Sequence, residues 1–298
     1  MGCLDDLWDP EAKGIRCSVN ASLGREQEAG IILAKKSAKV MVVGGGPAGM
    51  EAARVAALKG HRVTLWEKDS RLGGQLIQAA IPPHKDRISR LTGYLQTQLK
   101  KLNVAIELEK EVTAAMVVES RPDVVVLATG IHPLIPDIPG LDKAHLVHAG
   151  DILEGREKAG NPVVVIGGEV VGCETAEFLA EQGKRVTVTR RGPKMALGAG
   201  LRFRPLFLNR LREKGVTLMT SVKYDEVISR GLVITTKEGA RQTIEAATIV
   251  LAAGSVPEKK LYDDIEGKVP VVHLAGDCVE PRTIRSAIAD GYRIGSTI

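Results

Sequence analysis

Twice in this chain, 123 residues apart, a short apolar run rich in β-branched residues breaks into glycines and resumes with helical spacing. The first run is Lys39-Val40-Met41-Val42-Val43, followed by Gly44-Gly45-Gly46-Pro47-Ala48-Gly49 and a helical stretch from Met50 to Lys59. A second strand, Arg62 to Trp66, ends on Glu67. The other unit reads Val163-Val164-Val165-Ile166, then Gly167-Gly168-Glu169-Val170-Val171-Gly172, a helix through Gln182, and a strand ending at Thr189-Arg190-Arg191. One glycine pattern of this kind is a weak signal. Two of them, each set between strand, helix and strand, constrain the chain to a pair of βαβ units built around dinucleotides.

The residue types explain the pattern. Gly44 permits the turn off the strand, Gly46 has no Cβ to hold a pyrophosphate away, and Gly49 lets the helix lie close to the sheet. Pro47 needs no donor at an early helical position. The free N–H groups and the dipole of that first turn, which includes Ala48, favour an anion. Glu67, 23 residues beyond Gly44, is placed to accept the hydroxyls of an adenosine ribose. In the second unit the same count from Gly167 lands on Arg190, with Arg191 next. An acidic residue there would suit the free ribose of NADH, whereas arginine pairs with a 2′-phosphate, so NADPH is expected over NADH. Glu169 stands against this, because a carboxylate in place of the middle glycine repels a pyrophosphate unless the side chain turns away.

A chain of 298 residues suits two domains. Its 44 % hydrophobic content supports sizeable cores, and no apolar run reaches the length of a membrane span. The opening stretch has no apolar signal region, so a cytoplasmic setting and no membrane partner are expected. Aromatic residues make up only 3 %, and a net charge of +5 is spread along the chain, which argues against a nucleic-acid partner. Cys3, Cys17, Cys173 and Cys278 include no close C-x-x-C pair, so no redox disulfide is expected.

Residues 1–37 form a preamble outside either βαβ unit. A helix is predicted over 86–101 from Ile88, Leu91, Leu95 and Leu99, spaced three or four apart. The strand 123–127 runs into Ala128-Thr129-Gly130, and the strand 248–251 runs into Ala252-Ala253-Gly254. This echo marks the halves as structural duplicates, with the end of the chain returning to complete the first. The expected fold class is therefore α/β, with two three-layer Rossmann-like domains, the second inserted in the first. The expected boundaries are 38–155 plus 269–298 for an FAD-binding domain and 156–268 for an NAD(P)H-binding domain.

With Cys3-Leu4-Asp5, Cys17-Ser18-Val19-Asn20, Gly73-Gly74-Gln75 and Gly276-Asp277 added to these motifs, nearly the whole chain resembles the C-terminal half of the 2,4-dienoyl-CoA reductase and trimethylamine dehydrogenase group of NADH:flavin oxidoreductases. The resemblance implies a glutathione-reductase-like arrangement, with FAD on the first domain and a nicotinamide nucleotide on the second. It also implies a [4Fe–4S] cluster near the front and an FMN-binding barrel, as domain or subunit, as partner. The barrel is absent, and Cys3 and Cys17 supply only half of the four thiolates that such a cluster needs. A cluster is therefore expected only if upstream cysteines are supplied.

The other motif residues fit these roles. Gly73 and Gly74 let the backbone approach a flavin, with Gln75 able to hydrogen-bond to it. Gly130 and Gly254 end strands where a side chain would block a nucleotide. Asp277 suits the ribityl or diphosphate region, and the helix from Thr283 can present its N-terminus to the flavin carbonyls. The expected function is an FAD-dependent oxidoreductase module that accepts hydride from NAD(P)H and passes electrons toward an Fe–S/FMN reductase domain. The alternative is a non-catalytic ADP-binding assembly domain, since one branch of the resembled family keeps only ADP on this fold.

Overall fold

The computed structural model describes residue 6, residues 14–27 and residues 30–298. Its first half runs β1 (Lys39–Val43), α1 (Pro47–Leu58), β2 (Arg62–Trp66), α2 (Gln75–Ala79), α3 (Ile88–Lys101), β3 (Ala105–Glu107), α4 (Ala114–Ser120) and β4 (Val124–Leu127). Then come β5 (Ile131–Pro133), β6 (Leu146–His148), α5 (Ala149–Leu153), β7 (Val163–Ile166), α6 (Val170–Glu181), β8 (Val186–Thr189), α7 (Phe203–Glu213) and β9 (Thr217–Met219). The remainder is β10 (Lys223–Ile228), β11 (Gly231–Thr235), β12 (Arg241–Glu245), β13 (Thr248–Leu251), β14 (Ser255–Pro257), α8 (Lys260–Ile265), β15 (Val272–Leu274) and α9 (Ile284–Thr297).

Two parallel five-stranded sheets result, ordered β15-β4-β1-β2-β3 and β6-β13-β7-β8-β9. Strands β1 and β4 of one match β7 and β13 of the other, and apart from the exposed Lys39 all four are buried on both faces, as their largely apolar runs require. The fifth strand of each sheet differs in origin. In the first it is β15, from the end of the chain, and in the second it is β6, which precedes the turn. The chain therefore leaves its first sheet, builds the second, and returns.

Each compact unit has its own core. The first comprises residues 1–77, 87–132 and 255–298, and the second 78–86 and 133–254. In the first, Met41, Val43, Val125 and Leu127 pack with Val117 and Ile265. On α9, a Cβ at Gly295 would lie 2.7 Å from the Val55 Cβ, and one at Gly291 would fall well inside contact distance of the Ala48 carbonyl. Helix α9 therefore lies against the backbone of α1. In the second unit the pleat splits β7: Val163 and Val165 face Phe207 and Leu211, while Val164 and Ile166 face Leu232 and Ile234.

That second face is a three-stranded antiparallel meander, β10-β11-β12. Helices α2, α4, α5 and α8 are additions to the sequence reading. The unit boundaries also lie elsewhere than the expected 155/156 and 268/269. Strand β6 pairs with β13, which draws residues 133–155 into the second unit. Ile265 of α8 is buried in the core of the first unit, which draws residues 255–268 there. No helix among the described residues is long and apolar enough to cross a membrane.

Candidate functional site

The first glycine turn is shaped by what surrounds it. Gly44 has φ +106°, and a Cβ there would fall inside the Ala128 carbonyl. A Cβ on Gly49 would strike the Gly44 carbonyl and lie 3.2 Å from the Ala128 Cβ, so α1 starts as close to β1 and β4 as a backbone allows. Gly46 behaves differently, because a Cβ there meets nothing within 4 Å. The protein's own packing does not need this glycine, and the open space is of the kind that a pyrophosphate would fill. No side chain caps α1, which begins at Pro47.

Glu67 sits at the end of β2 with 6 % of its surface exposed. Its Oε2 accepts the Gly45 N–H at 2.6 Å and its Oε1 accepts the Asp69 N–H at 2.9 Å. Each carboxylate oxygen keeps acceptor capacity for a ribose hydroxyl. Gly45, which sequence reading passed over, supplies the donor that fixes this carboxylate. The Gly73 N–H donates to the Gly45 carbonyl at 2.9 Å, and a Cβ on Gly74 would lie 3.0 Å from the Gly46 Cα. Gly73 and Gly74 both have positive φ, so this loop lies backbone to backbone on the turn.

Gln75 and Asp277, 202 residues apart in sequence, meet there, with Gln75 Nε2 donating to Asp277 Oδ2 at 2.9 Å. The other oxygen of Asp277 accepts the Arg282 N–H at 3.1 Å. Arg282 pairs in turn with Asp290 of α9, which also accepts the Gly276 N–H at 3.3 Å. Thr129 donates to the Glu258 carbonyl, and Gly130 follows it with open space around its Cβ position. At the start of α9 the Thr283 hydroxyl accepts the Ser286 N–H at 3.2 Å, so the protein itself caps that donor. Gly44, Gly46, Gly74, Gln75, Ala128 and Asp277 are thus brought together within the first unit, and they suit FAD. Arg282 and Asp290 carried no local sequence signal.

The second turn repeats the backbone. Gly167 has φ +118° with its Cβ position inside the Ala252 carbonyl, and Gly172 is pressed on the Gly167 carbonyl 3.2 Å from the Ala252 Cβ. Gly254 continues the strand end with φ +114°. At Gly168, however, a Cβ would strike Met195 Sδ and lie 2.9 Å from the Arg190 Cβ. Arg190 fills the place that Glu67 holds in the first unit. It donates to the Gly168 carbonyl at 3.3 Å and pairs with Glu169. Arg191 is exposed, its guanidinium 5.8 Å from the centre of the Tyr224 ring. Tyr224 and the Met195–Gly198 loop are further additions to this site. Burial, with Glu169 and Glu174 nearby, pushes the Cys173 thiol up to about 12. Burial also raises the Cys278 thiol, so neither is a ready nucleophile.

Of the two front cysteines, Cys3 lies outside the described residues. Cys17 is half-buried and accepts the Val19 N–H at 3.3 Å on Sγ. Near it, Asp6 is held by Arg16 and by Arg285 of α9 at 2.6 and 2.8 Å.

Comparison with known proteins agrees with this geometry. The model of the pyridine nucleotide-disulphide oxidoreductase family matches residues 38–291. A bilirubin reductase of Mediterraneibacter gnavus is 37 % identical over 98 % of this chain and 45 % of its own. An NADH oxidase of Thermoanaerobacter brockii is 36 % identical over 94 % of this chain and 44 % of its own. The solved structure of a 2-naphthoyl-CoA reductase in complex with 2-naphthoyl-CoA superposes with a TM-score of 0.92 at 36 % identity, covering 95 % of this chain and 44 % of that one. The chain thus spans less than half the length of these relatives. It carries the FAD- and NAD(P)H-using part of an oxidoreductase. The chain belongs to the pyridine nucleotide-disulphide oxidoreductase family, as the FAD- and NAD(P)-binding half of the 2,4-dienoyl-CoA reductase-like enzymes.

Proposed function

We propose that this chain is the electron-entry module of a larger cytoplasmic reductase, taking reducing equivalents from NADPH in preference to NADH. A companion FMN-binding barrel, fused or separate, completes the reaction on an enoate-type substrate. The observation that carries the reading is the pair of matched turns with opposite charge, Glu67 beside Gly45 and Arg190 beside Gly168. FAD, when bound, supplies a two-electron acceptor that can release electrons onward.

Around FAD, Gly46 leaves room for the pyrophosphate, Glu67 takes ribose hydroxyls, and the Gly73–Gly74 loop supplies a flat backbone approach. Asp277, fixed by Gln75 and Arg282, would hold the ribityl or diphosphate region. On the second unit, Gly167, Gly168 and Gly172 hold the nucleotide turn, with Arg190 and Arg191 at the adenosine end. The companion is supported by relatives more than twice this chain's matched length, two of them named as reductases. Its cluster, with Cys3 and Cys17 as contributors, belongs to the same proposal. The relative named NADH oxidase counts toward NADH. The exposed Arg191 favours NADPH, because an aromatic face holds its cation in place and leaves its N–H donors open.

Stopped-flow reduction of the FAD-loaded chain by each nucleotide tests this, with Arg190→Glu alongside. Faster reduction by NADPH is expected, and the variant should lose that advantage. Equal or better use of NADH by the unmutated chain would overturn the preference. A folded chain that stays colourless and takes up no added FAD would move the ADP-binding assembly reading ahead.

A further inference from the structure

The two strand-end residues are not equally free. Glu67 is held by backbone donors alone, while Arg190 is held by another side chain, that of Glu169. Glu169 occupies the position of the middle glycine, at the N-cap of α6, yet its carboxylate does not cap that helix. It turns instead to Arg190 and accepts the Gly198 N–H at 3.3 Å. Its side chain is 49 % exposed, so packing does not require a glutamate here. Arg190, at 19 % exposure, spends one side of its guanidinium on the Gly168 carbonyl and the other on Glu169.

We infer that Glu169 is a specificity-determining residue: by occupying Arg190 it competes with a nucleotide's 2′-phosphate and caps the site's preference for NADPH over NADH. A 2′-phosphate reaching Arg190 must displace the carboxylate or lie beside it, and like charges oppose both. NADH, with free ribose hydroxyls, needs nothing from Arg190 and loses nothing. Arg191, which no carboxylate holds in the described structure, remains to give NADPH its moderate advantage. This rests on the NADPH reading above and limits how strong that preference can be.

The alternative is that Glu169 acts only by repelling the pyrophosphate, which both nucleotides carry. Fragments separate the two. 2′,5′-ADP has the 2′-phosphate without a pyrophosphate, 5′-AMP has neither, and 5′-ADP has only the diphosphate. Calorimetric titration of the FAD-loaded chain with each should show Glu169→Gln binding 2′,5′-ADP on the order of tenfold more tightly, the worth of one freed charge-assisted contact. Binding of 5′-AMP should stay within about twofold. Glu169→Gly should gain at least as much, which guards against the glutamine amide recreating a bond to Arg190. In an Arg190→Ala background the gain should vanish. Equal tightening of 5′-AMP, tightening confined to 5′-ADP, a gain that survives Arg190→Ala, or no gain at all would each overturn the inference. The NADPH-to-NADH ratio of the unmutated chain tests the underlying preference separately, so either can fail while the other stands.

Discussion

The two glycine turns share one backbone and differ in the charge set into it. Gly44 and Gly49 in the first, and Gly167 and Gly172 in the second, meet the same neighbours, the carbonyl and Cβ of Ala128 and of Ala252. Beside the next glycine stands a carboxylate in one and a guanidinium in the other. The glycines at the ends of the turn are there for the fold, since any Cβ would collide with the protein itself. The two turns differ at the central position, Gly46 against Glu169, and at the strand end, Glu67 against Arg190.

The largest expected effect tests the shared part. Gly49→Ala and Gly172→Ala each force a methyl group against a backbone carbonyl that cannot swing away, and each should cost about 3 kcal/mol. The two losses should agree within about 1 kcal/mol when read from chemical unfolding of either unit. Gly46→Ala is the contrast, since its Cβ meets nothing within 4 Å. It should leave unfolding unchanged while FAD binding falls at least about tenfold, as a methyl group takes pyrophosphate space. Unequal losses at 49 and 172 would break the duplication, and unchanged FAD binding in Gly46→Ala would remove the pyrophosphate from that turn.

Much of this was legible in the sequence because the glycine pattern, its count of 23 and the all-apolar strands are local signals. The return of the chain to its first sheet was legible too, from the echo of Ala128-Thr129-Gly130 in Ala252-Ala253-Gly254. The meander was not, because β10 and β12 are half polar and pack only their inner residues, such as Tyr224 and Ile244, on the core. The pairing of β6 was not legible either, because this strand is three residues long and its partner β13 lies about a hundred residues onward. Gln75 with Asp277, and Asp290 with Arg282, are tertiary meetings that no spacing rule predicts.

The next effect concerns the strand ends. Glu67→Ala removes the acceptor of two backbone N–H groups, and FAD affinity should fall by a factor of ten to a hundred, about 1.5–3 kcal/mol for a charge-assisted contact. Arg190→Ala should leave FAD binding unchanged. Flavin fluorescence released on dialysis reads both. Retention of FAD by Glu67→Ala would mean that the opposite charges do not sort the cofactors.

A smaller change is expected at Arg191, which stands over Tyr224 without the backbone anchor that Arg190 has. Arg191→Ala should weaken NADPH by roughly three- to tenfold, one partly solvated charge contact, and NADH hardly at all. A parallel loss for both nucleotides would place Arg191 at the pyrophosphate instead.

Acid gives the smallest contrast between the units. In the first, a bond from the Arg16 side chain, helped by its backbone N–H and by Arg285, holds the Asp6 carboxyl at about 2 against burial, which would raise it. In the second, burial alone would raise Glu177, but Arg210 and Lys214 outweigh it and keep the carboxyl below its ordinary value. A carboxylate whose folded value is depressed adds stability wherever it is ionised in both states, and that contribution fades as pH falls from its unfolded value through its folded one. For Asp6 the window runs from 3.8 down to about 2. Asp6→Asn should therefore be less stable than the parent at neutral pH by about 1 kcal/mol, kept small because Arg16 is 57 % exposed and screened by solvent. The gap should close as pH drops through that window. Glu177→Gln should show the same sign, with its gap beginning to close at higher pH, because an ordinary glutamate titrates above an ordinary aspartate. Melting curves from pH 7 downward read both, and a gap that widens in acid would show that these carboxylates hold their arginines by shape rather than by charge.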